Sequence, residues 1–299
     1  MSTGSLELAH ARMLARWGER PGDVLWGRIE ATRELRGVLD LAHGCSLARW
    51  LAGLDAGAGV HRTERRLRQR WQAAVDELAQ WMPEDWQPAV RRCAVLPDLP
   101  LLQHLARGGA LPAWAGDDPS LRWLLEPPRS DAQHGAPHAG PDALPAALVE
   151  SVRRDPAAAL PAWQAWWLDA MPPGRARQDV AETLLPLVRE HLARFAAADA
   201  DEGWALRAQL GRQLQALMRR HAMQPLAAFA WLGLRALELE RLRGELVTRA
   251  AWTRLAKTDA VEAPGSSPGP GAKGADRPGG LPQGGRSSGR TGPPAGAMP

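Results

Sequence analysis

The sequence predicts an all-α protein: a multi-helix bundle or funnel of antiparallel helices followed by a disordered C-terminal tail. Three observations carry this expectation. Helix formers Ala, Leu, Arg and Glu dominate residues 5–257, while alternating apolar–polar segments and Asn-Gly hairpin turns are missing. Leu67, Trp71, Val75, Leu78 and Met82 recur at steps of 4, 4, 3 and 4 residues, which lays one apolar stripe along a helix. From Ala263 to Pro299 more than half the residues are Gly, Pro or Ser, and Leu281 is the one large apolar residue before Met298. Such a segment buries too little surface to offset its ordering entropy.

The elements follow in order. Leu6–Trp17 forms a first helix, stopped by Gly18 and Pro21. Asp23 can cap a second, running to about His43 with Val24, Leu25, Ile29, Leu35, Val38 and Leu39 inward. Ser46 can cap a short helix over Leu47–Leu54, before the turn Asp55–Gly59. The striped helix ends at Pro83; Trp86–Leu96 and Leu99–Arg107 are short helices, the latter closed by Gly108 and Gly109. Residues 126–143, rich in Pro and Gly, form a linker or long loop, dividing the body into helical units 1–125 and 144–257 before a tail at 258–299. Leu144–Arg154 and the tryptophan-rich Pro156–Met171 open the second unit. Arg177–Ala198 follows with a kink or break at Pro186. Glu202–His221 places Trp204, Leu210, Leu214 and Leu217 on one side. A last helix starts at Pro225 and runs to about Leu255. It is apolar almost all round over Leu226–Leu234 and amphipathic from Arg235 on, so it threads the core and then emerges.

Composition narrows the function classes. Hydrophobic residues make up 45% of the 299, an ordinary globular fraction, and the aromatic set is fourteen Trp, two Phe and no Tyr. Net charge is only +4, so the chain lacks the overall surplus of a typical nucleic-acid binder. Cys45 and Cys93 form no CxxC pair and read as buried thiols of a reducing, cytoplasmic compartment. Met1–Arg16 lacks the apolar region of a signal peptide, and no run of about 18 apolar residues offers a membrane span.

No chemistry-bearing constellation stands out. The histidines are scattered; His134 and His138 are four apart but lie in a Gly/Pro segment that cannot hold a helical ligand pair. Glu64, Glu77, Glu190 and Glu238 sit among arginines and read as ion-paired helix residues. GxSxG, Walker-type and GxGxxG signatures are missing. The expectation is therefore no catalytic residue, no cofactor and no metal. The run His61–Arg70 is basic, with Arg65 and Arg66 at its centre, and reads as a solvated face or a docking surface for an acidic partner. It lacks interleaved aromatics for base stacking. Trp163, Trp166 and Trp167 read as core or partner-contact residues.

Two stretches resemble a known family. Gln224–Arg243 combines Pro225, the aromatics Phe229 and Trp231 in an apolar stretch, Arg235, Glu238 three later, and Arg241-Leu242-Arg243. This is similar to the closing helix of the C/d family of archaeal/vacuolar-type (A/V-type) rotary ATPases, the central-stalk component lettered C in the archaeal enzyme and d in the vacuolar one. Arg241 stands where Asn is usual in that family. Nearer the N-terminus, His10-Ala11-Arg12, Glu64-Arg65-Arg66-Leu67 and the segment Asp98–Arg107 echo the same family in the same order. The family's tyrosines are absent, its Asn in the last of these segments is lost, and the body is shorter than three helical units require. The resemblance covers about 5–110 and 175–250.

It implies a non-catalytic central-stalk protein, a helical socket that couples the rotor shaft to the membrane ring of ion-carrying subunits in ATP-driven proton or sodium transport. The partners implied are those stalk and ring subunits, with no nucleic acid, and the location is cytoplasmic, peripheral to the inner face of the cell membrane through partners only. Arg235, Glu238, Arg241, Arg243, Arg65 and Arg66 are the candidate partner-binding residues. The alternative is a generic helical interaction scaffold or adaptor. A helical enzyme and a nucleic-acid binder are the remaining readings.

Overall fold

In the computed structural model the described residues are 5–116, 118, 121 and 146–262; no strand occurs among them. The expected linker 126–143 and the expected tail from 263 on lie outside them. Met1–Ala260 form one compact unit, and buried residues of both expected helical units, from Ala9 to Ala250, belong to one core cluster.

Helix α1 (Leu6–Gly18) starts at Ser5, whose Oγ accepts from the Leu8 N–H at 3.2 Å. It packs on α5 (Val60–Trp81), the striped helix, whose Leu67, Trp71, Val75 and Leu78 are all buried. The expected helix from Asp23 to His43 is two helices, α2 (Asp23–Ala31) and α3 (Leu35–His43), with Gly22 rather than Asp23 at the N-cap. Thr32 is extended there, and its Oγ1 donates to the Arg28 carbonyl at 2.7 Å. Val24, expected inward, is 83% exposed. Helix α4 (Ala48–Leu51) is shorter than expected, and Ser46 makes no capping bond.

Residues 84–98 are a chain of short turns instead of the one helix expected over Trp86–Leu96, while the helix expected over Leu99–Arg107 forms. A 3₁₀ turn (Glu84–Trp86) leads to α6 (Gln87–Arg91), then to a 3₁₀ stretch (Arg92–Asp98) containing Pro97, then to α7 (Leu99–Ala106). Irregular backbone leaves carbonyls needing donors, and tryptophans supply them. Trp71 Nε1 donates to Cys93 O at 3.0 Å, Trp163 Nε1 to Arg92 O at 2.9 Å, and Trp167 Nε1 to Ala89 O at 2.9 Å. The short helix α8 (Ala113–Gly116) follows.

Helices α9 (Ala146–Arg154) and α10 (Ala159–Asp169) pack on each other and on α7. Trp163 and Trp167 stack 5.2 Å apart, and Trp167 meets Phe229 edge-on at 4.9 Å. These two tryptophans of the cluster are core; Trp166 is half-buried, with the Arg92 guanidinium 4.5 Å over its ring. Helix α11 (Arg175–Asp179) passes through a π turn (Val180–Leu184) into α12 (Leu185–Ala197). Pro186 has no N–H for the Glu182 carbonyl and its ring crowds that carbonyl, so the expected break takes the form of a widened turn. Helix α13 (Ala200–Arg220) lies against α12 and α14 (Pro225–Glu262). A Cβ on Gly233 of α14 would meet Leu214 Cδ1 at 2.9 Å, so glycine sets that close approach.

The last helix extends past the expected end at Leu255 into the segment assigned to the tail. Leu226–Leu232 are all buried, and the stripe then narrows to Arg235, Leu239, Leu242, Leu246 and Arg249. A polar residue at each of two core positions is the departure from the expected apolar stripe.

Candidate interaction cleft

Those two arginines are held differently. Arg235 is 1% exposed. Its Nη1 lies 2.8 Å from the Glu238 carboxylate, and its guanidinium sits 4.8 Å over the Trp50 ring. Trp50 Nε1 donates to the same Glu238 at 2.7 Å. Burial lowers the Arg235 pKa, and Glu238 pulls it back up. Arg235 is therefore not a surface contact group. It ties the last helix to α4 from inside.

Arg249 commits all five guanidinium N–H groups. Nε donates to Thr32 O (2.7 Å), Nη2 to Ile29 O (3.0 Å) and Glu30 O (3.1 Å), and Nη1 to Glu245 O (2.8 Å) and Glu245 Oε2 (2.7 Å). A cation at the C-terminal carbonyls of α2 suits both the orphan acceptors and the helix dipole. It also stabilises the helix break at Thr32.

Between these anchors Arg241 and Arg243 face the N-terminal half of the chain. Arg241 binds Glu30 through Nη2 at 2.5 Å and lies 4.4 Å over the Trp26 ring. Arg243 binds Glu64 at 2.5 Å, and this hydrogen-bonded partner raises its pKa. The basic run on α5 is similarly engaged. Arg62 pairs with Asp55 at 2.9 Å, Arg66 donates to Gln69 Oε1 at 2.9 Å, and Arg70 donates to Arg49 O at 2.6 Å. Arg65 is half-buried on the same helix. Of the six candidate partner-binding residues, Glu238 and Arg241 line one region, with Arg235 buried behind Glu238; Arg243, Arg65 and Arg66 are elsewhere.

That region is a cleft of about 950 Å³. Its floor is α14, through Leu234, Leu237, Glu238, Arg241 and Glu245. One wall comes from the end of α1 and from α2, with Trp17, Arg20, Pro21, Asp23, Trp26 and Glu30. The other wall is α13, with Trp204, Arg207, Ala208, Gly211, Arg212 and Gln215. Three arginines stack on three of its tryptophans: Arg20 on Trp17 at 4.3 Å, Arg241 on Trp26 at 4.4 Å, and Arg207 on Trp204 at 5.2 Å. Each pair presents both a charge and an apolar face.

Trp204, expected with the inward leucines, is 51% exposed. At about 100° per residue it lies roughly 80° off Leu214 and close to Ala208 and Gly211, so helix arithmetic separates it from the core stripe. Trp17, Trp26, Arg20, Arg207 and Arg212 had no such signal, because the cleft joins residues nearly two hundred positions apart.

Among the described residues no group of three or more His, Cys, Asp or Glu is arranged to hold a metal ion, and no helix is long and apolar enough to cross a membrane. No protein-family model, curated protein or solved structure matches the chain.

Proposed function

We propose that this chain is a non-catalytic helical socket: a central-stalk protein of a V/A-type rotary ATPase, of the C/d kind, joining the rotor shaft to the membrane ring in ATP-driven proton or sodium transport. One observation carries the reading. Arg235 and Glu238, the residues on which the resemblance of the last helix turns, do not decorate the outside; Glu238 lies on the floor of a cleft and Arg235 locks it there against Trp50. A socket that passes torque needs a stiff wall around a recess. Arg235, Arg241, Arg243 and Arg249, which bond within the last helix or tie it to the elements packed against it, support such a stiff wall. Membrane attachment then comes through protein partners.

The test is a tagged pull-down from native membranes in mild detergent, with partners identified by mass spectrometry. Recovery of rotary-ATPase stalk and ring subunits supports the socket. A protein recovered alone, as a monomer, refutes it and leaves the generic helical scaffold.

A further inference from the structure

We infer that the cleft takes an acidic, apolar-tipped segment of another protein, gripped by Arg20 and Arg212 from its two walls and by the exposed Trp204 indole. The inference rests on the reading of this chain as a protein-docking socket and specifies the chemistry of what docks.

Charge complementarity comes first. Three of the four acids lining the cleft are already neutralised by arginines of the fold: Glu30 by Arg241, Glu238 by Arg235, and Glu245 by Arg249. Arg207 is answered by Glu240 at 2.7 Å. Arg20 and Arg212 are exposed and have no acidic partner among the described residues. The fourth acid, Asp23, lies in the first turn of α2, where the helix dipole favours it. The cleft thus offers two cations without acidic partners and one anion that its own helix end accommodates.

The apolar part is equally specific. Leu234 and Leu237 line the cleft together with the small residues Ala208 and Gly211, and Trp204 in the same lining is half-exposed. Tryptophan and arginine are among the residue types enriched in the few that carry most protein–protein binding energy. The chain's own C-terminal segment does not fit as occupant. Its charges are Lys273, Arg277, Arg286 and Arg290 against Asp276, the same sign as the cleft surplus. A second copy, with net charge +4, is no better matched.

The experiment uses the full chain and two synthetic helical peptides with identical leucine spacing, one filled with Glu and one with Lys. Binding is read by tryptophan fluorescence and calorimetry. The Glu peptide should bind, and more weakly at high salt. Arg20→Glu/Arg212→Glu should reduce that binding at least about tenfold and admit the Lys peptide; Trp204→Ala should weaken the Glu peptide without changing the charge preference. All three side chains are exposed, so melting curves should match the wild type. Equal binding of the two peptides, indifference of binding to these substitutions, or no binding up to about 1 mM overturns the inference. Its failure is separable from that of the socket. Rotary-ATPase subunits recovered at wild-type yield by the double charge reversal would sink the cleft inference alone. Selective binding of the Glu peptide with no such subunits recovered would sink the rotary reading alone.

Discussion

Replacing Glu238 tests the internal lock and the cleft floor together. Glu238→Leu removes the counter-charge 2.8 Å from Arg235 and the acceptor 2.7 Å from Trp50 Nε1. The Arg235 side chain is 2% exposed, so its charge has no route to water. An uncompensated buried charge costs about 3–5 kcal/mol, and the orphaned indole N–H adds about 1–3 kcal/mol. The stack of Arg235 on Trp50 is present in both proteins and cancels in the difference. With about 2–4 °C of melting temperature per kcal/mol in a domain of this size, the variant should melt at least about 8 °C below the wild type. Arg235→Met/Glu238→Leu replaces both ions by apolar groups and should regain most of the loss, leaving only the indole cost of about 1–3 kcal/mol. The assay is a double-mutant cycle by thermal and urea unfolding, followed by circular dichroism. Glu238→Leu melting within about 3 °C of wild type, or a double variant less stable than Glu238→Leu, would refute the account of a buried ion pair.

Other outcomes follow from single environments. Arg249→Lys leaves at most three donors for five acceptors and should cost about 1–3 kcal/mol; hydrogen exchange should quicken first at the end of α2, and uniform quickening throughout would contradict a local cap. Asp98 is pushed up to about 6 by burial, with Arg68 at 3.8 Å pulling down and Asp118 pushing up. Its folded pKa exceeds the ordinary aspartate value, so its contribution is fully present in acid and is lost as pH rises through about 6. The stability of wild type minus that of Asp98→Asn should therefore fall between about pH 4 and 6, by at most about 3 kcal/mol; a flat difference would rule this out. Cys93 is buried and its thiol pushed up to about 12, while Cys45 is half-buried. A thiol reagent should label Cys45 in the native protein and Cys93 only on unfolding, and the reverse order would place Cys93 outside the core.

The all-α class, the striped helix to Pro83 and the buried start of the last helix were legible in the sequence, because helical periodicity and proline chemistry act over a few residues. Tertiary contacts decided the rest. The split between α2 and α3 depends on Arg249, over two hundred residues away, feeding the carbonyls of Ile29, Glu30 and Thr32. The broken backbone of 84–98 depends on indole donors from α5 and α10. Arg235 looked like a partner-contact charge because a sequence shows a residue's charge but not its counter-ion. Whether an arginine grips a partner or its own fold is set by which acid or carbonyl the chain brings within about 3 Å, and only folding makes that choice.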